Sequence, residues 1–232
     1  MELKNAVVFI TGANRGLGLA FAREAQARGA RKVYAAARDP STLRLAGVEP
    51  VKLDVTRPDE VAAAAARAGD VTVLINNAGI AATGGFLAAG SADSARRHLE
   101  TNLIGPLLMA QAFAPALAAN GGGALLNVLS IASWINRPLL GVYGMSKSAA
   151  WALTNGLRHE LREQGTQVLG LHMGFVDTDL TQGIDAPKSS PQDIVRQALD
   201  ALEAGEEEVL ADEATRQVKQ GLSARAAIYL QA

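Results

Sequence analysis

The stretch Thr11-Gly12-Ala13-Asn14-Arg15-Gly16-Leu17-Gly18 follows an apolar run at Ala6–Thr11 and leads directly into an apolar-periodic segment. The run predicts a strand and the periodic segment predicts a helix, with the glycines in the turn between them. Glycines at this place permit a tight turn and let backbone amides approach an anion at the helix N-terminus. The order strand, glycine loop, helix favours a dinucleotide site over an ordinary glycine-rich turn, which is the alternative interpretation.

The rest of the chain repeats this alternation of short β-branched runs and longer helical patterns. The further predicted strands are Lys32–Ala36, Val51–Asp54, Val71–Asn76, Ala124–Leu129, Gln167–His172 and Glu208–Leu210. The predicted helices are Gly16–Arg28, Pro58–Arg67, Ala92–Ala119, Tyr143–Glu163, Pro191–Glu203 and Asp212–Leu222. Such alternation predicts an α/β fold, a doubly wound (Rossmann) parallel sheet of about seven strands with helices on both faces. No linker or repeat divides the chain, so residues 1–232 are expected to form a single domain.

Composition excludes several classes of function. The chain has 232 residues, a formal net charge of −1 and no cysteine. Without a basic patch, a nucleic-acid partner is not expected. Without cysteine there is no disulfide, no thiolate metal site and no thiol nucleophile. His98, His159 and His172 lack metal-ligand spacing, so the sequence predicts no metal site and only structural or surface roles for these histidines.

Two features argue against a membrane or secreted protein. The longest apolar stretch, around Leu107 to Ala119, is interrupted by Gln111 and Pro115 and is too short to span a bilayer. The first residues enter a strand pattern without a charged and apolar leader. The sequence therefore predicts a cytoplasmic protein with no membrane partner.

A candidate reaction centre lies in the second half of the chain. Tyr143 and Lys147 are four residues apart, which on a helix places both side chains on one face. An ammonium ~5 Å from a phenol, at an effective dielectric of ~20, favours the phenolate by roughly 3 kcal/mol and lowers the tyrosine pKa accordingly. Ser130 ends an apolar run thirteen residues before Tyr143 and is positioned to hold a carbonyl oxygen. The alternative is an ordinary surface helix pair.

The motifs together resemble the short-chain dehydrogenase/reductase family, in particular its NADP(H)-preferring, carbonyl reductase-like members. That family carries Thr-Gly-x-x-x-Gly-x-Gly after the first strand, as at Thr11–Gly18 here. Its Asn-Asn-Ala-Gly motif matches Asn76–Gly79 after the fourth predicted strand. Asn102, with the three residues of the candidate reaction centre, then completes its catalytic tetrad. The resemblance covers nearly the whole chain and implies one domain for both dinucleotide binding and catalysis.

The resemblance implies an enzyme that reduces a ketone or aldehyde to an alcohol by hydride transfer from NADPH. Tyr143 would donate the proton as general acid, while Lys147 would lower its pKa and bond the nicotinamide ribose. Ser130 would polarise the substrate oxygen. Asn102 would hold a water that links Lys147 to solvent, or it would only support a kink beside Gly105-Pro106. Two other functions stay open: an NAD-dependent alcohol dehydrogenase of the same family and a non-catalytic NADPH-sensing regulator.

The nucleotide preference is predicted from the end of the second strand. Ala37 occupies the position at which an acid would bind the ribose of NAD, and Arg38 follows it. Arg38 and Arg15 are expected to converge on the 2′-phosphate of NADP(H). The alternative is that Asp39 takes the acid's part, which would favour NAD(H).

The predicted cofactor contacts extend along the whole cleft. They are Gly12, Asn14, Arg15, Gly16, Leu17, Gly18, Arg38, Asp54, Val55, Asn77, Ala78, Gly79, Tyr143, Lys147, Gly174, Val176 and Thr178. Asp54 resembles the family's adenine-contacting acid, although it could equally cap the end of a strand. Met173 replaces the family's proline in the segment after the sixth strand, which leaves the path of that segment open.

The segments that follow the central strands are expected to form the substrate pocket. Its predicted residues are Ser130, Ile131, Trp134, Leu140, Met173 and Phe175, with Ile80, Phe86, Leu139 and Leu180 as further candidates. Apart from Ser130 they are apolar, so a small hydrophobic ketone or aldehyde is the expected substrate. The resemblance also implies a homodimer or homotetramer formed through the long fourth and fifth helices.

Overall fold

The apolar runs form a seven-stranded sheet in the computed structural model, which describes residues 1–231. The strands are β1 (Val7–Thr11), β2 (Lys32–Ala37), β3 (Glu49–Lys52), β4 (Val73–Asn76), β5 (Ala124–Val128), β6 (Gln167–His172) and β7 (Glu208–Leu210). Their order across the sheet is β3-β2-β1-β4-β5-β6-β7, and every pairing is parallel. The predicted doubly wound parallel sheet is confirmed.

Helices cover both faces of the sheet, as predicted. They are α1 (Gly16–Ala27), α2 (Pro58–Arg67), α3 (Ser91–Leu99), α4 (Gly105–Ala119), α5 (Gly141–Glu160), α6 (Pro191–Ala204) and α7 (Glu213–Gly221). Helix α1 packs beside α6 on one face, and α2 packs beside α4 on the other. Each face has its own buried apolar cluster, with Phe21 in the first and Phe9 and Phe113 in the second. Strands buried on both faces explain why their sequences read as continuous apolar runs.

Several predicted boundaries are wrong by two or three residues, among them the start of β4 and both ends of α5. The third strand lies two residues earlier than Val51–Asp54, because β3 is an edge strand that tolerates Pro50 and leaves Asp54 in the following turn. The predicted helix Ala92–Ala119 is also not uniform. A π-helical segment, Glu100–Ile104, separates α3 from α4.

The π-helical segment has a cause in the sequence. In an α-helix the amide of Pro106 would bond to the carbonyl of Asn102, but proline has no N–H to donate. The chain instead widens, and the amide of Gly105 bonds to the carbonyl of Glu100. Gly105 also sits against Val55, where a Cβ would lie 2.7 Å from a Val55 methyl group. The wider turn therefore falls at the point where this helix packs against the turn after β3.

The helical run Ser91–Ala119 has the length and apolar composition of a membrane span, contrary to the prediction that this region is too short. One face of α4 nevertheless belongs to the core of the fold. Met109, Phe113 and Leu117 are fully buried within the apolar cluster on that face of the sheet.

The direction of winding reverses at β1. This strand pairs with β2 on one side and with β4 on the other, so the loops after β1 and β4 emerge side by side. In open α/β sheets a ligand crevice forms at this place, outside the carboxyl ends of the strands.

Candidate active site

A cleft of about 1050 Å³ lies at this edge of the sheet. It brings together sixteen of the seventeen residues predicted to contact a cofactor, all except Gly18. It also contains Ser130 beside Tyr143 and Lys147. Segments far apart in the sequence thus meet in one cavity.

The glycine loop needs its glycines for two different reasons. Gly12 and Gly16 adopt φ values of +66° and +52°, a left-handed conformation that favours glycine. Gly18 does not line the cleft, and its contact with a cofactor stays a prediction. A Cβ there would lie 2.1 Å from the carbonyl oxygen of Gly12, and Gly18 is therefore the residue that lets α1 approach the loop. The first turn of α1 carries no acidic side chain, which leaves its amides available to an anion.

Thr11 is a residue that the sequence reasoning missed. Its hydroxyl accepts hydrogen bonds from the amides of Asn77 and Ala78, at 3.0 and 2.9 Å. The Asn77 side chain in turn donates to the carbonyls of Thr11 and Gly12, at 2.9 and 3.1 Å. Asn77 lines the cleft, and its side-chain amide also holds the loops after β1 and β4 together. A hydroxyl at the end of the central strand, directly before Gly12, was the available signal.

Arg38 follows β2 and is exposed at the edge of the cleft. Asp39 does not line the cleft. Its carboxylate accepts hydrogen bonds from the amide and hydroxyl of Ser41, at 3.0 and 2.7 Å, and so caps a short turn. The Asp39 carboxylate is thus engaged within this turn.

Arg15 also lines the cleft. Its guanidinium is 3.4 Å from the Asp179 carboxylate, and both side chains are about two-thirds exposed. An exposed ion pair of this kind contributes about 0 to 1 kcal/mol.

Asp54 lies in the turn after β3, and its contact with the adenine stays a prediction. It lines the cleft, and its carboxylate accepts hydrogen bonds from the amide and hydroxyl of Thr56, at 3.0 and 2.8 Å. The turn that it closes also presents Val55 to the cleft.

A chain of buried hydrogen bonds positions α5, the helix that carries Tyr143 and Lys147. Asn76 at the end of β4 donates to Asn127 of β5 at 2.9 Å, and Asn127 donates to Thr154 of α5 at 2.9 Å. All three side chains are at most 4% exposed. Because buried amides are costly to leave unpaired, this chain fixes the helix against the sheet.

Ser130 is held from two sides. Its Oγ accepts from the amide of Ala132 at 3.1 Å, and its backbone carbonyl hydrogen-bonds to Nδ1 of His172 at 3.1 Å. Burial lowers the pKa of His172 to about 4, so this histidine is neutral and Nδ1 is the donor. His98 is likewise buried, and His159 is exposed, which agrees with the structural and surface roles predicted.

The predicted lowering of the Tyr143 pKa by Lys147 is wrong in this structure. Tyr143 keeps part of its surface at the cleft, but desolvation raises its pKa above the usual 10.0, and the Ser130 hydroxyl opposes this only in part. Burial also lowers the pKa of Lys147 to about 8. Nζ of Lys147 donates to the carbonyl of Val128 at 2.7 Å and lies 5.9 Å from the centre of the Tyr143 ring. Loss of water is the largest influence on the pKa of both groups.

Asn102 lies behind the cleft and does not line it. Its side chain accepts from the amide of Ile80 and donates to the Ile80 carbonyl, each at 2.9 Å. It also donates to the hydroxyl of Ser146 at 2.9 Å. Ser146 is one residue before Lys147, so Asn102 ties the loop after β4 to α5.

On the substrate side, Ile131, Leu140, Met173 and Phe175 line the cleft as predicted. Met173 is also 4% exposed and part of the apolar core. The segment after it is fixed by a hydrogen bond of 2.6 Å from the Gly174 amide to Asp212. Ile80 and Leu180 line the cleft too.

Trp134 was wrongly assigned to the substrate pocket. The short helical turn Ile131–Ser133 reverses the chain after β5 and directs Trp134 away from the cleft. Its ring stacks on His172 at 3.9 Å and meets Trp151 edge-on at 6.2 Å. Phe86, another candidate, is 51% exposed and lies outside the cleft.

Known proteins share this architecture. A family model described as short chain dehydrogenase matches residues 6–189. The chain is 34% identical over 197 residues to Dehydrogenase/reductase SDR family member 7B of Bos taurus, covering 77% of this chain and 60% of that protein. It thus spans only three-fifths of the length of that relative.

Solved structures extend the comparison. A short chain dehydrogenase from Burkholderia cenocepacia J2315, in complex with NADP, is 38% identical, with a TM-score of 0.95 and 100% coverage of both chains. A short chain dehydrogenase/reductase from Burkholderia phymatum, in complex with NAD, is 25% identical, with a TM-score of 0.84 and coverage of 95% and 94%. Because the family model matches most of its length, the chain belongs to the short-chain dehydrogenase/reductase family of oxidoreductases.

Proposed function

We propose that the chain is an NADPH-dependent reductase that converts a ketone or aldehyde to an alcohol. The observation that carries this proposal is that Ser130, Tyr143 and Lys147 line the same cleft as the glycine loop. A polar hydroxyl, a phenol and an ammonium then converge beside a site suited to a dinucleotide. We further propose that residues 1–232 act as one dinucleotide-binding and catalytic domain.

The residues of the cleft fit a dinucleotide. The left-handed glycines and the acid-free first turn of α1 leave an anion-binding cradle for the pyrophosphate. Asp54 and Val55 would contact the adenine, Lys147 the nicotinamide ribose, and Gly174, Val176 and Thr178 the carboxamide. When bound, the cofactor supplies the hydride that adds to the substrate carbonyl carbon.

Ser130 and Tyr143 act on the substrate oxygen. The Oγ of Ser130 accepts from the amide of Ala132, so its hydrogen remains to be donated to the carbonyl oxygen. The raised pKa of Tyr143 keeps its phenol protonated near neutral pH. As the carbonyl carbon is reduced, its oxygen becomes far more basic than a phenolate and takes the proton from Tyr143.

Lys147 has two proposed roles, to orient the nicotinamide ribose and to replenish the proton of Tyr143. One of its three hydrogens bonds to the carbonyl of Val128, which leaves two for ribose hydroxyls. With a pKa of about 8 it still carries a proton at neutral pH, so it would be able to replenish the proton that Tyr143 donates. The main-chain carbonyl of Asn102, to which Pro106 cannot donate, would hold the water that connects Lys147 to solvent.

Arg38 is the basis for preferring NADPH to NADH. It is exposed at the nucleotide end, while Asp39 is engaged in capping the neighbouring turn. Arg15, although near Asp179, lines the same cleft and could join Arg38 on a 2′-phosphate. The related Burkholderia cenocepacia structure in complex with NADP agrees with this preference.

We also propose a homodimer or homotetramer built on α4 and α5. Helix α4 is apolar around most of its circumference, yet Pro115 and Ala118 are exposed and Leu107 is only partly buried. A helix with this composition is normally covered on all sides. Light scattering coupled to size exclusion would measure the mass directly, and a monomer would contradict this part of the proposal.

The test of function is an NADPH-consumption assay with a panel of ketones and aldehydes, run in parallel with NADH. We expect turnover with NADPH and a clear preference over NADH. Tight NADPH binding without turnover would favour a sensing regulator. Preference for NADH would overturn the role of Arg38, and alcohol oxidation exceeding carbonyl reduction at neutral pH would favour an alcohol dehydrogenase.

A further inference from the structure

A second cavity of about 640 Å³ adjoins the catalytic cleft on its substrate side. The two share five lining residues: Ile131, Ala132, Leu140, Gly174 and Phe175. Ile131 directly follows Ser130, so the shared wall begins one residue from the hydroxyl that holds the substrate oxygen. A small ketone bound at Ser130 and Tyr143 would leave this second space unfilled.

The walls of the second cavity are apolar. Beyond the shared residues, they include Ile135, Leu139, Ala186, Pro187 and Ala214. Its volume falls in the range of about 300 to 1000 Å³ that is typical of sites for drug-sized ligands. Leu139, one of these wall residues, is 52% exposed.

Two positively charged side chains line this cavity, those of Arg137 and Lys188. Within residues 1–231 neither forms an ion pair with an acidic side chain, and Arg137 donates only to the carbonyl of Gln231, at 3.4 Å. The carboxylate of Asp212 also lines the cavity. It is engaged by the amide of Gly174, at 2.6 Å, and by the amide and hydroxyl of Thr215, each at 2.8 Å. The charges left to meet a ligand are therefore positive.

We propose that this cavity is a distal subsite of the reductase, and that the substrate is an aldehyde or ketone whose hydrocarbon chain ends in a carboxylate. The carbonyl lies between Ser130 and Tyr143, the chain fills the second cavity, and the carboxylate meets Arg137 and Lys188. This assignment rests on the proposed carbonyl reduction and extends it to a substrate class.

The expected effects are measurable. Burial of each methylene group in an apolar site raises kcat/KM by about fourfold. The partly exposed cations add about fivefold for a chain that ends in a carboxylate. The measurement compares butanal, hexanal and octanal with their ω-carboxy counterparts, using NADPH. The prediction is a rise with length in both series and a higher value for each acid than for its uncharged partner.

Variants locate the effect in the second cavity. Ala214 lines this cavity but not the catalytic cleft, so Ala214→Phe should lower kcat/KM for octanal about tenfold and leave butanal unchanged. Ala63→Phe is the matched control, because Ala63 is an exposed alanine on the distant helix α2. The double variant Arg137→Gln/Lys188→Gln should lose the advantage of the acids without changing the uncharged aldehydes.

A flat dependence on length, or an Ala214→Phe variant that affects butanal and octanal equally, would overturn the subsite. Calorimetric binding of octanedioate, which has no reducible carbonyl, separates this outcome from failure of the reductase proposal. If no aldehyde is turned over but octanedioate binds and Ala214→Phe abolishes binding, the subsite stands and carbonyl reduction fails. If aldehydes are reduced and octanedioate does not bind, the subsite fails alone.

Discussion

Replacing Lys147 by methionine should stabilise the cofactor-free protein while abolishing turnover. Lys147 is 6% exposed, and burial lowers its pKa from 10.5 to about 8. At pH ~7 the folded protein holds a charged ammonium that the unfolded chain solvates better, a cost of about 3 kcal/mol. Methionine has a similar length and removes this charge. It also leaves the Val128 carbonyl without its donor, which costs about 1 to 2 kcal/mol.

The net gain in the free energy of unfolding is therefore about 1 to 2 kcal/mol at neutral pH, or roughly 2 to 8 °C in Tm. The sign of this difference in the free energy of unfolding depends on pH. The pKa of Lys147 is lower in the folded than in the unfolded state, so the penalty is full below about pH 8 and vanishes above about pH 10.5. The advantage of Lys147→Met should shrink by about 2 kcal/mol between pH ~7 and pH ~9.5.

Urea denaturation of both proteins at the two pH values tests this prediction. Lys4→Met is the matched control, because Lys4 is exposed and its removal should change little at either pH. A Lys147→Met protein that is no more stable than wild type at neutral pH would refute the reasoning. So would a stability difference that is independent of pH.

Three further results are expected. Arg38→Ala should raise KM for NADPH by about 10- to 100-fold through loss of a charged phosphate contact, with little effect on NADH, while the exposed Arg31→Ala should change neither. Gly18→Ala should destabilise the fold by about 3 kcal/mol in urea denaturation, because its Cβ would lie 2.1 Å from a backbone carbonyl oxygen. The control Gly69→Ala should be neutral, because a Cβ at Gly69 would have nothing within 4 Å. The pKa of His172 is about 4 in the folded state, against 6.5 normally. The free energy of unfolding should therefore fall by about 2 to 3 kcal/mol as the pH drops from about 7 to 4.5. His172→Phe should remove this contribution to the pH dependence.

The sequence was most informative where one local pattern had one structural outcome. Strand β6 and helix α2 begin and end at the predicted residues, because a short run with an apolar centre and a proline-initiated helix are each decided locally. The glycine loop was readable for the same reason. Left-handed backbone at Gly12 and Gly16 is a local requirement that few residues other than glycine satisfy.

Features that depend on packing between distant segments could not be predicted from the sequence. The position of Trp134 follows from the turn after β5, and that turn is fixed by contacts with β6. The direction of the Tyr143 pKa depends on burial, which the spacing to Lys147 does not report. The side chain of Asn102 is used in tying together two segments, a role visible only once the loop after β4 and helix α5 are adjacent.

The role of Tyr143 as proton donor is tested most directly by Tyr143→Phe, which keeps the ring and removes only the hydroxyl. Single-turnover oxidation of NADPH by a reducible aldehyde would be followed beside NADPH binding, measured by fluorescence. We predict unchanged binding and a rate at least about 100-fold lower, the contribution of a positioned general acid. Retained turnover with unchanged NADPH binding would contradict the assignment.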